Sequence, residues 1–266
     1  PCGASGQFAA TARQRGIDVV DGCEISVRWR GEEWHLLAYH VDPDDEVFAE
    51  RVGVVSARGR ARFGRWLERF EAFGVPVDPA PVADLLATTH APYFGRFLDV
   101  VVPSLAGYPA FAGYATRPYP ELVRDWFAVG RPFHVPEPPY PDVAEALDWI
   151  DAAGGVAVLA HPARALAPAE LADALPPLVG RGLGGIEVWT TWHPAAVSAR
   201  LADLARRLGL VPTQGSDFHG PVKPWAPVPG ALPAAARDPY EIVGRLRERV
   251  RPRSGKDGGR RDHRGD

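Results

Sequence analysis

Between Asp142 and His219 the chain alternates helical patterns with short apolar runs, and this alternation restricts it to a sheet built largely of parallel strands. DVAEALDWIDAA carries apolar residues at helical spacing and stops at Gly154-Gly155, after which VAVLA is a run suited to one buried strand. GIEVW at 185–189, a helical pattern from about Ala195 to Leu208, and then LVPTQGSDFHG repeat the arrangement. Parallel strands need crossovers, and helices placed on the crossovers cover the sheet, so the strands read apolar throughout. The expected class is α/β.

Upstream, QFAATARQR at 7–15 has helical character and Ile17–Val20 forms a short apolar stretch expected to be a strand. Ser26–Arg30 and Glu33–Tyr39 read as two strands around a turn at Gly31, with Val27, Trp29, Trp34 and Leu36 as apolar positions. Glu24 then lies near the hairpin entry and His35 on its second arm. Residues 45–144 alternate helical stretches such as ARFGRWLERFEAFG with proline-rich connections, the pattern of a mostly helical insert. The organisation expected is a barrel part at 1–44, an insert at 45–144, a second barrel part at 145–250 and a polar, glycine-rich tail at 251–266 with the composition of disorder.

The formal net charge of −3 gives no general basic field, so binding to long duplex nucleic acid is not expected. No apolar run reaches the roughly 18–20 residues of a spanning helix, so no membrane partner is expected. Cys2 and Cys23 form no C-x-x-C pair, which fits a reducing cytoplasm. The chain starts at Pro1 and contains no Met, so a natural start is not visible.

Three places can carry chemistry. GSDFHG at 215–220 sets a glycine-flanked Asp-x-His behind Leu210-Val211. Residues two apart on an extended chain point the same way, so Asp217 and His219 can converge on one ion, and their donor types suit Zn, Mn or Fe. An Asx turn with a hydrogen-bonded His fits the same residues. LAHPAR at 159–164 ends a buried strand on His161, at the carboxyl end where α/β enzymes place reactive groups, although a lone His there also serves structure. Arg164 suits a phosphate or a surface ion pair. Glu24 and His35 lie among apolar neighbours, where a buried Glu needs a partner or a metal; both also fit exposed hairpin positions. His134, in RPFHVPEP, fits a substrate-facing loop, and His193, in WTTWHP, a loop near the site or a helix start. There is no G-x-S-x-G elbow and no GxxxxGK[ST] loop.

In this order CEIS, WHLLAY, AGGVAVLAHPAR, GIEVW and QGSDFHG resemble the PHP (polymerase and histidinol phosphatase) phosphoesterases. The branch is the TrpH-like one, which includes nucleoside 3',5'-bisphosphate phosphatases and a 5'-to-3' exoribonuclease. The resemblance implies a distorted seven-stranded (β/α) barrel with a helical insert, here without its first strands. It implies two or three divalent metal ions, manganese first, with zinc, iron or magnesium as alternatives. Motif by motif, Glu24 corresponds to a bridging glutamate, His35 and His161 to the histidine ligands that follow, and Asp217 and His219 to the closing pair. Glu24 and Asp217 are then the acidic residues of the reaction centre. Arg96, His134 and Arg164 are the candidate substrate contacts, although GRFLDV has Phe97 and Leu98 where the family has Pro and His. The family's H-x-H and TDHD-like turn do not precede Glu24, so the resemblance implies a chain cut shortly before Pro1. The implied activity is hydrolysis of phosphate esters in a phosphorylated small molecule, nucleotide or short RNA. A metal hydrolase of another bond type and a noncatalytic metal-binding module are the alternatives.

Overall fold

A hairpin organises one half of the sheet. In the computed structural model, which describes residues 3–42, 44–89, 93–114, 119–218, 228, 230, 232 and 237–250, β1 (Gly22–Trp29) pairs antiparallel with β2 (Glu32–Tyr39). Their two-residue turn, Arg30-Gly31, has φ of 55° and 83°, the positive pair whose twist matches a hairpin. Along β2, Trp34, Leu36 and Ala38 are buried on one face, while Glu33, His35, Leu37 and Tyr39 share the other.

β3 (Val156–Leu159) joins β2 antiparallel; β4 (Leu183–Thr190) and β5 (Val211–Gly215) follow in parallel, giving five strands in sequence order. Helices α1 (Gly3–Gln14), α2 (Glu46–Ala72), α3 (Ala80–Thr88), α4 (Phe94–Leu105) and α5 (Tyr119–Leu122) precede β3, and α5 runs on into a π-helical turn, Val123–Phe127. α6 (Val143–Ala152) leads into β3, α7 (Pro168–Ala174) and α8 (Pro176–Gly180) connect β3 to β4, α9 (Ala195–Arg207) connects β4 to β5, and α10 (Pro239–Arg247) comes last. The mixed α/β class matches the sequence expectation.

One sheet face carries Ile25, Val27, Leu36, Leu159 and Ile186 into a core with Leu147 and Ile150 of α6 and Leu201 and Leu204 of α9. On the other face Val156, Val158 and Val211 meet Ile242 and Leu246 of α10. Helix α2 connects this body to a second core. Its Asp45 cap accepts the Phe48 N–H at 2.8 Å, and its 27 residues span about 40 Å. Phe48 and Val52 pack with the sheet, whereas Phe63, Trp66 and Phe70 belong to an aromatic core built by residues 63–135. Arg60 donates to the Thr89 and Leu86 carbonyls at 2.8 and 2.6 Å, satisfying acceptors that the end of α3 leaves open.

Two local expectations need correction. Ile17–Val20 is not a strand: Ile17 is 56% exposed, and the segment is anchored by Arg247–Asp18 and Arg13–Asp21 ion pairs rather than by a ladder. β1 begins earlier than Ser26, which places Glu24 inside the strand rather than at its entry. The sheet of the described residues has five strands, where the resemblance implies a seven-stranded barrel here without its first strands. The tail 251–266, expected to be disordered, lies outside the described residues. Among the described residues no helix is long and apolar enough to cross a membrane.

Phe70 is fully buried, with its ring 4.4 Å from that of Phe133 and 6.1 Å from that of Phe97. We predict that Phe70→Ala lowers the unfolding free energy by about 3–5 kcal/mol in urea denaturation; a loss below about 1 kcal/mol would contradict this packing.

Candidate functional site

The hairpin register brings the first two candidate groups together. Ser26 pairs with His35 and Glu24 with Leu37, so Glu24 and His35 are diagonal neighbours on one face. Glu24 Oε1 lies 2.6 Å from His35 Nδ1. The third group arrives from β3, whose end is tied to β2 by the Ala160 N–H donating to the His35 carbonyl at 3.0 Å. His161 follows in a left-handed conformation, φ 30° and ψ 52°, and Pro162 opens a short 3-10 turn to Arg164. Its Nε2 comes to 3.2 Å from His35 Nδ1 and 3.7 Å from Glu24 Oε1. One ligand atom from each residue lies within 4.8 Å of the others. A non-glycine residue held in the left-handed region marks a conformation that its surroundings impose, a recurrent feature of functional sites.

Electrostatics mark the same point. Burial pushes the Glu24 carboxyl up, but hydrogen bonds and charge from His161 and His35 outweigh it and hold it well below the usual carboxylate range. Burial lowers the His35 imidazolium, yet Glu24 and Glu33 together raise it to about 9. Glu33, also on β2, is opposed by burial but held at about 2 by His35, Ser26 and Tyr140.

A second carboxylate stands behind the cluster. Glu187, at 4% exposure in the wholly buried β4, accepts the His161 N–H at 2.8 Å. Burial, with added repulsion from Glu24 and Asp217, pushes it up to about 8. A Cβ at Gly215 would come too close to Glu187 Oε1, so a side chain there would shift this carboxylate. Sequence reasoning did not assign Glu187 a role, although a lone acid inside the apolar GIEVW run is the kind of residue that is buried only with partners.

Asp217 follows β5 at φ 50°, and its Oδ2 accepts the Trp192 Nε1–H at 2.7 Å. Trp192 lies 6.2 Å from the His161 ring, and the Arg164 guanidinium sits 5.3 Å over the Trp192 ring. His193 clasps the same loops: its Nδ1 meets the Val188 carbonyl at 2.9 Å and its Nε2 lies 3.3 Å from the Ala163 N–H. Donation at one nitrogen and acceptance at the other define a neutral ring, consistent with burial lowering its pKa. His193 is thus a buried loop clasp.

Arg164, His35 and His161, with Glu32, Glu33, Trp34 and Ala165, line a cavity of about 340 Å³. Arg96 pairs with Asp99 at 3.2 Å near the start of α4. Burial, then the charge of Asp99 and least that of Asp217, push the nearby Tyr93 hydroxyl up to about 12. His134 Nδ1 lies 3.4 Å from the Phe127 carbonyl, and His134 is not among the cavity-lining residues. His219 lies outside the described residues.

The donor set fits a divalent cation. A carboxylate and two imidazoles at this spacing suit Zn, Mn or Fe, and a cation would offset the crowding of Glu24, Glu187 and Asp217.

No family model matches the chain. It is 33% identical over 207 residues to a phosphoribosyl 1,2-cyclic phosphate 1,2-diphosphodiesterase of Eggerthella lenta, covering 77% of this chain and 74% of that protein. It is 30% identical over 225 residues to a 3',5'-nucleoside bisphosphate phosphatase of Chromobacterium violaceum, covering 82% and 74%. To the 5'-3' exoribonuclease Rnm of Escherichia coli it is 29% identical over 210 residues, covering 79% and 68%. A crystal structure described as a metal-dependent phosphoesterase of Bifidobacterium adolescentis superposes with a TM-score of 0.74 at 24% identity, covering 93% of this chain and 82% of that one. An amidohydrolase of Chromobacterium violaceum, solved with sulfate and no metal, gives 0.71 at 24%, covering 91% and 82%. At that identity the two structures speak for the fold alone.

His35 supplies a pH prediction. Its folded pKa of about 9 exceeds the ordinary value of 6.5, so its stabilising contribution in the metal-free protein is complete below pH 6.5 and disappears as pH rises through about 9. A cation must displace that proton. Apparent manganese affinity in calorimetric titrations should therefore rise up to about tenfold per pH unit between pH 6.5 and 9, with about one proton released. A flat profile would show that His35 is not a ligand.

Proposed function

The chain belongs to the PHP-type metal-dependent phosphoesterases, and on that premise we propose that it hydrolyses a phosphate ester of a nucleotide or short RNA in the cavity beside Glu24, His35 and His161. The observation that carries this reading is the convergence of those three ligand atoms from β1, β2 and the turn that follows β3. Asp217 and His219 complete the set, with manganese as the favoured ion. Divalent cations bound there would supply a Lewis acid for the phosphoryl oxygens and an acidified water as nucleophile.

The protein's own groups do the remaining work. Glu24 stays ionised because both histidines stabilise its charge, so it remains a ligand well into acid. Trp192 holds the Asp217 carboxylate through its Oδ2. The cavity wall also carries Glu33, ionised down to about pH 2, alongside Arg164 and His35. Arg164 sits on the cavity wall with its guanidinium over the Trp192 ring, a geometry suited to two hydrogen bonds with a phosphoryl group. Arg96 and His134 are the outer candidates for substrate contact.

The same reading takes the sheet as part of a distorted seven-stranded barrel, residues 1–44 and 145–250, with 45–144 as an insert over its mouth. The contribution of the Asp217 charge to Tyr93, beside the start of α4, is in keeping with it. Cys23 is a thiol outside any disulfide, in keeping with a reducing cytoplasm, where we place the reaction.

The test is phosphate release from a nucleoside 3',5'-bisphosphate and from a short 5'-phosphorylated RNA, with manganese and after chelation. Chelation should abolish turnover. Arg164→Ala should weaken kcat/KM by about 10–100-fold, the cost of losing a charge-assisted pair. Turnover that survives chelation would contradict the metal role, and an unaffected Arg164→Ala would remove this residue from the site.

A further inference from the structure

Where β3 ends, the chain leaves the sheet and the His161 N–H loses any ladder partner. His161 is 7% exposed, so that N–H cannot turn to water, and an unpaired buried donor is costly. Glu187 on the neighbouring strand fills the gap: its Oε2 accepts the His161 N–H at 2.8 Å. Its other oxygen occupies the space that a side chain at Gly215 would take. The β4–β5 register shifts between Glu187 and Trp189, which leaves Gly215 opposite Thr190 and sends the chain on to Asp217 in its left-handed conformation. Both oxygens of Glu187 thus face backbone, and its side chain is not a member of the Glu24, His35 and His161 group.

We propose that Glu187 is a positioning residue: its carboxyl group fixes the turn that carries His161 and the strand end that leads to Asp217, setting both side chains at the metal centre. This rests on the metal-centre reading above. Because the function is that of a hydrogen-bond acceptor with a given shape, an amide of the same shape should replace it. Removal of the acceptor should release the His161 turn even where volume is preserved.

The experiment compares the full chain with its Glu187→Gln, Glu187→Leu and Gly215→Ala variants in three readouts: manganese affinity by calorimetry, exchange of the His161 amide in the metal-free protein, and phosphate release. Glu187→Gln should keep the amide protected and hold manganese within about threefold of the parent, while Glu187→Leu should expose the amide and weaken manganese by about 10–100-fold. Gly215→Ala retains Glu187 but displaces its carboxyl group, and should weaken manganese in the same direction. Parent-like affinity in Glu187→Leu or in Gly215→Ala would overturn the proposal. So would a Glu187→Gln as defective as Glu187→Leu, because charge rather than positioning would then be at work. If the parent releases no phosphate from either substrate while the affinities and amide exchange follow this pattern, the substrate reading fails and the positioning role stands.

Discussion

The 2.6 Å contact between Glu24 Oε1 and His35 Nδ1 can exist in only one register of β1 on β2. A slip of one residue would send His35 into the apolar core and bring Trp34 or Leu36 to the site face. What holds the register is therefore what holds the site. Ile25, Val27, Trp34 and Leu36 on the opposite face are each at most 5% exposed, and the Arg30-Gly31 turn admits no extra residue without changing the pairing. The charged cluster is opposed by desolvation, which the pairing of Glu24 with His35 outweighs in the metal-free protein. It is imposed by the apolar face beneath it, and a bound cation would relieve it.

Helix α2 carries that constraint outward. Its first turns pack on the sheet and its later turns build the aromatic core of Phe63, Trp66, Phe70, Phe97, Phe127 and Phe133. A continuous helix sharing two cores fixes their relative placement, because interiors are close-packed and resist shear. Glu24 and His35 stand within β1 and β2, while His161 and Asp217 stand on the loops that follow β3 and β5.

Much of the C-terminal half was legible, because period and punctuation there agree: the Asp142 cap and Gly154 bound α6, and Val156–Leu159 and Leu183–Thr190 are strands as their apolar runs require. Locally, Glu24 with His35 is one signal and His161 another, joined only by the family resemblance, because their meeting point depends on strand pairing between residues more than a hundred apart. Ile17–Val20 misled because an apolar run says nothing about whether a partner edge is present. Glu187 was missed although its signal was visible, since the apolar run was read for burial and its one acid was not asked for a partner. The settings of Arg96 and His134 follow from helix packing, which local patterns do not encode.

The central claim is that Glu24, His35 and His161 share one ion. Anomalous diffraction at the manganese edge, from crystals of the protein grown with manganese, tests it without reference to substrate. The account predicts a peak bonded to Glu24 Oε1, His35 Nδ1 and His161 Nε2 at about 2.0–2.3 Å, the range of nitrogen and oxygen ligands to such ions. A manganese-saturated crystal with no peak at that point, or with the ion held by other residues, would contradict it.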